Sequence, residues 1–325
     1  MADVLVIGTI RPEGLAVLEG RADIRLTKLA ETDRAGLLEA AGRASAILVR
    51  TSRVDRAVIE AAPGLKVVSR HGVGYDNVDL EALNERRIPL AIAANANKVS
   101  VAEHALFMML ALAKQGVAHD TAVRGGEWAI RNRFAAVDLA GRTLLLLGFG
   151  RIGGEVAVRA RAFGMTVEVF DPYVDDRSLA ECGCRRATEL ESALREADVV
   201  SLHLPLSAAT RHIIDAAKLA LMRPTALLIN TARGGLIDEP ALARALTEGR
   251  LGGAGIDVFE DEPPDPANPL LAAPRALLSP HSAGVTGESM VRMATEAATN
   301  ILDVLGGRLD PAVIVNHAIV AGSQP

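Results

Sequence analysis

Residues 143–147, Thr-Leu-Leu-Leu-Leu, run without a break into Gly148-Phe-Gly-Arg-Ile-Gly-Gly154. Few local patterns restrict a fold as much. An apolar strand ending in Gly-x-Gly-x-x-Gly has to turn tightly, and the residues after it, up to Phe163, have the spacing of an amphipathic helix. A strand, a glycine turn and a helix in that order open a doubly wound sheet, which needs further strands of the same kind.

Those strands are present in two sets. Residues 4–7, 46–49, 66–69 and 90–93 form the first; 143–147, 166–170, 198–202, 226–229, 254–258 and 276–278 form the second, with helical patterns between them. Strands alternating with helices predict βαβ units and mostly parallel sheets. Aromatic residues are scarce, with one Trp, two Tyr and six Phe in 325 residues, so Val, Leu, Ile and Ala must fill the cores, as they do in parallel strands covered on both faces. The expected fold class is α/β with two doubly wound parallel-sheet domains, a Rossmann dinucleotide domain inserted into a discontinuous flavodoxin-like one.

The break between the sets falls near Asn95-Ala-Asn-Lys98. After it, Ser100-Val-Ala-Glu103 reads as a capping box. The helix it opens is apolar on more than one side (Val101, Ala105, Leu106, Met108, Met109, Leu110, Leu112) and is expected to be buried all round. Burial at a subunit interface is the preferred reading, which predicts a homodimer; burial between the domains is the alternative. His104, on the same helix, reads as a packed structural histidine. The helical pattern 287–305 returns the chain to the first domain, where Val313-Ile-Val315 packs, and 321–325 reads as a disordered tail. The predicted domains are 1–98 with 288–325, and 99–287.

In the glycine loop, Gly148 allows the turn, Gly150 lets backbone approach a pyrophosphate and Gly153 permits close packing of helix on strand. The amides of Arg151 and Ile152 would meet phosphate at the helix N-terminus. Asp171 ends the next strand, at the spacing of an acid that binds ribose hydroxyls, and an anion there repels a 2′-phosphate. The following Pro172-Tyr-Val174 offers no Arg, so NAD is expected over NADP. The bland reading of Asp171 is an Asp that forms a turn before Pro.

Ligands of open α/β sheets lie beyond the carboxyl ends of the strands. The last three strands end in Asn230-Thr-Ala-Arg-Gly234, Phe259-Glu-Asp-Glu-Pro263 and Ser279-Pro-His-Ser-Ala-Gly284. His281 is suited to exchange a proton near neutral pH, Glu262 to orient and stabilise its imidazolium, and Arg233 to grip a carboxylate. Glu260 or Asp261 in place of Glu262, a solvated Arg233 and a capped turn at His281 are the alternatives. His119, His212 and His317 lie away from predicted strand tips, and His203 is read as shaping its loop.

Other functions are disfavoured by composition. A formal charge of −5 gives no basic field for nucleic acid. Cys182 and Cys184 read as reduced thiols, with no further Cys to make a metal set. The start, Met1-Ala-Asp3, lacks a basic segment, and the apolar run 101–113 carries Glu103 and His104 and is shorter than the roughly 20 residues of a membrane span. A cytoplasmic protein without membrane contact is expected.

Taken together, His71-Gly-Val-Gly-Tyr-Asp-Asn-Val-Asp79, the GFGRIGG loop with Asp171, Ile229-Asn-Thr-Ala-Arg-Gly-Gly235, Gly255-Ile-Asp-Val-Phe-Glu-Asp-Glu-Pro263 and Ser279-Pro-His-Ser-Ala-Gly284 resemble the D-isomer-specific 2-hydroxyacid dehydrogenase family over nearly the whole chain. The resemblance implies an NAD-dependent oxidoreductase acting on the CH–OH group of a small 2-hydroxy acid. In it Arg233 would hold substrate, His281 would be the acid/base and Glu262 would pair with it. It also implies cofactor contacts from Val73, Arg151, Ile152, Asp171, Leu204, Pro205, Thr231, Ala232, Asp257, Ala283 and Gly284. Leu204 departs from a small polar residue common at that place. Glu262 stands where formate dehydrogenases have Gln, which disfavours their chemistry. A dinucleotide-sensing corepressor of this fold, the rival from another class, would show an added peptide-binding segment.

The strand-end rule also selects Arg50 and Arg70 in the first domain, with Val73 and Gly74 beside them to contact substrate. Two more arginines exceed the need of a monoanion, so a second anionic group is expected. Within the family Arg50 and Arg70 resemble positions of phosphoglycerate dehydrogenases, the first choice of substrate. Hydroxypyruvate, glyoxylate and sulfonated hydroxy acids are the alternatives, and solvated faces are the bland reading of the two arginines.

Overall fold

Parallel strands hydrogen-bonded on both sides and covered on both faces have little use for polar side chains, and the two sheets follow that rule. In the computed structural model, which describes residues 1–31 and 33–322, the chain divides into two units: Met1–Asn97 with Val285–Pro325, and Lys98–Gly284. Residues 323–325 of the expected tail lie outside the described residues.

The first unit holds β1 (Ala2–Ile7), β2 (Ile24–Leu29), β3 (Ala46–Val49), β4 (Val67–Arg70) and β5 (Leu90–Ile92), in the order β2-β1-β3-β4-β5. All neighbours are parallel. Alternation sends Leu5, Ile7, Ile47, Val49 and Val68 to one face, where Val58, Ile59 and Leu83 from short helices meet them. Val4, Val6, Ala46, Leu48 and Val67 go to the other, against Ala294, Ala297, Ala298 and Ile301 of the helix Gly287–Leu305. That helix is pinned by buried polar groups: Ser69 Oγ donates to Ala297 O (2.8 Å) and Asn300 Nδ2 to Ile92 O (3.0 Å). Ile314 then bridges antiparallel to Ala91 at the sheet edge.

The second unit contains β6 (Thr143–Leu147), β7 (Thr166–Phe170), β8 (Arg185–Arg186), β9 (Val199–Leu202), β10 (Leu227–Asn230), β11 (Gly253–Ile256) and β12 (Ala276–Leu278), in the order β12-β11-β10-β9-β6-β7-β8. The order reverses between β6 and β9, the switch point at which such sheets take ligands. Two strands were not expected, β2 and β8. Both are edge strands: β2 alternates polar and apolar residues and is half-exposed, and β8 is two arginines, so neither carries an apolar run.

The helix Lys98–Ala113 belongs to the second unit. Met108 and Leu112 pack where Gly255 and Gly253 of β11 have no side chain. The capping-box reading is corrected: the helix begins at Lys98, so Ser100 and Glu103 lie inside it, with Ser100 buried. Glu103 is turned toward Arg159 of the helix Arg151–Ala162, at 3.9 Å. Within the single chain Phe107 is 54 % exposed, on a strip with Leu110 and Ala111, the side that a subunit interface would have to cover.

Candidate functional site

Three loops leave the carboxyl ends of β10, β11 and β12. From β10, Asn230 organises the first: its Oδ1 accepts from Ala232 N (3.0 Å) and its Nδ2 donates to Arg233 O (2.8 Å). This fixes the backbone of Arg233, whose Nη1 donates to Ala232 O (2.6 Å). From β11, Glu262 curls back so that its Oε1 accepts from Phe259 N (3.0 Å). From β12 comes His281, with φ +51, its amide donating to Asp257 O (2.7 Å).

His281 Nδ1 and Glu262 Oε2 are 2.6 Å apart. Burial alone would raise the Glu262 pKa. The hydrogen bond from His281, the Phe259 amide and the charges of His281 and Arg233 outweigh that and hold it below the usual carboxylate value. An ionised Glu262 accepts from Nδ1–H, which directs Nε2 to the other side of the ring, and the His281 side chain is 50 % exposed. Glu260, one of the two competing carboxylates, is otherwise engaged: it binds Arg211 and, at 3.3 Å, His212.

The glycine loop is shaped by close approach. Gly148 has φ +97, and a Cβ there would lie 2.6 Å from His203 O; one on Gly153 would lie 2.4 Å from Gly148 O. Gly150, by contrast, has nothing within 4 Å of a would-be Cβ. Gly150 is the N-cap of the helix Arg151–Ala162 and adds no side-chain hydrogen bond there, which puts Arg151 and Ile152 in the first turn, next to the open space at Gly150. Asp171 Oδ2 accepts from Phe149 N (2.8 Å) and Oδ1 from Tyr173 N (2.8 Å). The turn-forming reading of Asp171 is thus realised, together with a tie to the loop that binds phosphate in this fold. Arg186 also lies beside it, donating to Asp171 O, Val174 O and Asp176; its position on an edge strand gave no local sign of this. Leu204 packs toward Gly148, and Pro205 O accepts from Thr210 Oγ1 (2.7 Å). Thr231 Oγ1 is buried without a hydrogen-bond partner among the described residues, as expected of a group that awaits a ligand.

Sequence reasoning missed the groups that hold these loops. Buried Glu239 accepts from Glu260 N (2.5 Å) and Asn268 Nδ2 (2.6 Å), anchoring the loop after β11. Asp257, expected to touch cofactor, spends its carboxylate on the loop after β12, accepting from Ser279 Oγ, Ser282 N and Ala283 N; Gly284 follows directly. His104 and His212, set aside in the sequence, both reach these loops.

In the first unit, Arg50 follows β3 and Arg70 ends β4, on neighbouring strands. Arg50 is half-buried and makes no ion pair among the described residues. Arg70 donates to His71 O. Burial first, then the charges of Arg50 and Arg70, pushes the pKa of His71 down to about 4. Val73 and Gly74 are part-exposed in the loop beyond it.

Comparison with known proteins places this geometry. The family model described as "D-isomer specific 2-hydroxyacid dehydrogenase, NAD binding domain" matches residues 106–283. A D-3-phosphoglycerate dehydrogenase of Methanocaldococcus jannaschii is 39% identical over 97% of this chain; the chain spans 59% of that relative's length. An (S)-sulfolactate dehydrogenase of Chromohalobacter salexigens is 40% identical over 95% of the chain and 100% of its own length, and a glyoxylate reductase of Aeropyrum pernix 36% identical over 99% and 98%. Among solved structures, a Thermus thermophilus protein matches with a TM-score of 0.87 at 37% identity, covering 96% of this chain and 99% of that one. A D-lactate dehydrogenase of Aquifex aeolicus, complexed with NAD and lactic acid, matches at 0.86 and 30%, covering 96% and 98%. The chain belongs to the D-isomer specific 2-hydroxyacid dehydrogenase family, and residues 106–283 are its NAD-binding domain.

Proposed function

We propose that the protein interconverts a D-2-hydroxy acid bearing a second anionic group and its 2-oxo acid, with a 3-phosphoglycerate-like compound as the first choice. The observation that carries the reaction class is the 2.6 Å contact of His281 Nδ1 with Glu262, beside Arg233 at the ends of adjacent parallel strands. A nicotinamide cofactor supplies the hydride acceptor or donor. The residues present fit it: an open cradle at Gly150, amides at Arg151 and Ile152, Asp171 at the end of β7, and the orphaned Thr231 hydroxyl. Asp171 favours NAD, since a 2′-phosphate would meet a carboxylate and the nearby Arg186 is already committed to three acceptors.

In oxidation, His281 Nε2 takes the hydroxyl proton while Glu262 stabilises the imidazolium; in reduction the same ring returns it. Arg233 binds the substrate carboxylate and polarises the adjacent carbonyl. Arg50 and Arg70 bind the distal anion. Supporting this is the positive field their guanidiniums create, felt by His71. The names of the relatives divide between phosphorylated, sulfonated and simple substrates.

Assembly as a homodimer is proposed from the second unit's exposed apolar side chains: Phe107 and Phe163, then Val123, Trp128 and Phe134 in the segment that follows the helix Lys98–Ala113. Among the described residues no helix is long and apolar enough to cross a membrane; a cytoplasmic location is proposed.

The test is steady-state reduction of phosphohydroxypyruvate, sulfopyruvate and glyoxylate by NADH. Arg50→Ala and Arg70→Ala should each lose about ten- to a hundredfold in kcat/KM on the two substrates that carry a distal anion, the scale of a charge-assisted contact, and little on glyoxylate. Arg233→Ala should damage all three. Equal losses on every substrate for the Arg50 and Arg70 variants would remove the distal-anion reading.

A further inference from the structure

His104 has no part in the chemistry above, yet its side chain is directed at the loop that carries His281. It lies on the helix Lys98–Ala113, with 20 % of its side chain exposed. Its Nε2 is 3.0 Å from Ser279 Oγ, and Ser279 Oγ is 2.5 Å from Asp257 Oδ1. The Asp257 side chain is 1 % exposed. Its carboxylate also accepts from the amides of Ser282 (2.8 Å) and Ala283 (2.9 Å), while its backbone carbonyl accepts from the amide of His281 (2.7 Å).

The direction of the chain follows from the chemistry of its members. A carboxylate only accepts, so the Ser279 hydroxyl proton points to Asp257. The lone pairs of Ser279 Oγ then face His104, which must present Nε2–H. Phe107, one turn along, lies tilted beside the ring, its centroid 5.5 Å from that of His104. His104 thereby orients Ser279, Ser279 and two amides share Asp257, and Asp257 holds the loop on both sides of His281. That residue sits at φ +51, a conformation that costs energy away from glycine and persists where the surroundings impose it.

We propose that His104 is a positioning residue for the dehydrogenase reaction, acting through Ser279 and Asp257 on the loop 279–284 that carries His281. The proposal rests on the reading of His281 as acid/base, and His281→Ala serves as the control for that reading. A hydrogen bond feeding a buried carboxylate is worth up to about a tenfold change in rate when lost, and a loop misplacement adds to it.

The experiment measures kcat and KM for 2-oxo acid reduction, NADH affinity by fluorescence titration, and the thermal midpoint. His104→Leu should lower kcat by about tenfold or more, with KM and NADH affinity within about threefold of the parent. His104→Gln, whose amide can donate from nearly the same place, should recover most of kcat. Combining His104→Leu with Ser279→Ala should be no worse than Ser279→Ala alone, because both cut one chain. Should the Leu variant fail to fold, the Gln and Ser279→Ala variants still read the link through kcat. The proposal is overturned if His104→Leu keeps kcat within twofold, if Gln is as impaired as Leu, or if the two substitutions act additively. Loss of activity in His281→Ala with full activity in His104→Leu would defeat this inference alone. Retention in His281→Ala would defeat the reading beneath it.

Discussion

Gly234 follows Arg233, and its place in the fold gives the site a sharp test. A Cβ built on it would lie 1.9 Å from the carbonyl carbon of Phe259, 2.1 Å from its oxygen and 2.2 Å from Glu260 N. Ordinary carbon contacts start near about 3.5 Å, so Gly234→Ala must push the two backbones about 1.5 Å apart. Neither can yield without consequence. Phe259 N donates to Glu262 Oε1, and Glu260 N is held by buried Glu239, while on the other side Asn230 fixes Arg233. The separation therefore moves Glu262 away from His281, Arg233 away from its substrate, or both. A displacement of about 1 Å at a reacting centre costs about a hundredfold in rate, and overpacking of this kind about 1–3 kcal/mol in stability. Gly234→Ala should accordingly lose about a hundredfold in kcat/KM, with a much smaller loss of affinity for NADH, which the glycine loop is proposed to hold. Gly287→Ala, where a Cβ meets nothing within 4 Å, is the control and should stay within about twofold. A Gly234→Ala enzyme with near-normal kcat/KM would show that the loops after β10 and β11 do not position the chemistry.

The other predictions concern single groups. His281→Ala should abolish most turnover and spare NADH binding, since the base acts on the reacting hydroxyl alone; near-full kcat would sink its assignment. Asp171→Ala should narrow the preference for NAD over NADP and weaken NAD as well, because the Asp171 carboxylate also ties Phe149 N; equal use of both cofactors by the unaltered protein would refute the role of Asp171. His71 titrates at about 4 when folded against 6.5 in the open chain, through burial and the neighbouring Arg50 and Arg70. The unfolded chain then takes up the proton first, so this contribution is complete above about pH 6.5 and is lost as pH falls toward 4, amounting to about 2 kcal/mol by pH 5. Denaturant midpoints of the parent and His71→Asn at pH 7.5 and pH 5 read it; an equally steep fall in the variant would exclude His71 as a source.

Much of the architecture could be read in the sequence because buried parallel strands leave unbroken apolar runs. The strands that escaped, β2 and β8, are those whose burial is one-sided or slight. The helix Lys98–Ala113 shows the converse limit. Its composition signals burial on most sides, yet cannot tell that Met108 and Leu112 fill the space above two glycines of β11 while Phe107 stays exposed. The catalytic candidates were legible for a topological reason, as each follows a strand end. Their supports were not, because Glu239, Asp257 and His104 act across long sequence separations, and nothing local distinguishes a buried acid that holds a loop from one on a solvated helix.

That difference between origin and path explains how the site is built. Asn230 aligns with Ile256, and Ile256 with Leu278, across β10, β11 and β12, so the three loops start from one edge in fixed register. Arg233 lies as far past Asn230 as His281 lies past Leu278, and register alone brings those two to similar height above the sheet. Glu262 lies farther along its own loop, which register does not govern. Its return to His281 depends on the Phe259 amide, and the loop on Glu239. The sheet thus sets where the loops begin, and buried polar groups, each satisfied by the backbone it holds, set where they end. In a low-dielectric interior such groups are costly to leave half-paired, so disturbing any one of them both displaces its loop and lowers stability. Glu239→Ala and Asp257→Ala should for that reason lower kcat and the thermal midpoint together, and a variant with near-parent values of both would refute the part given to that acid.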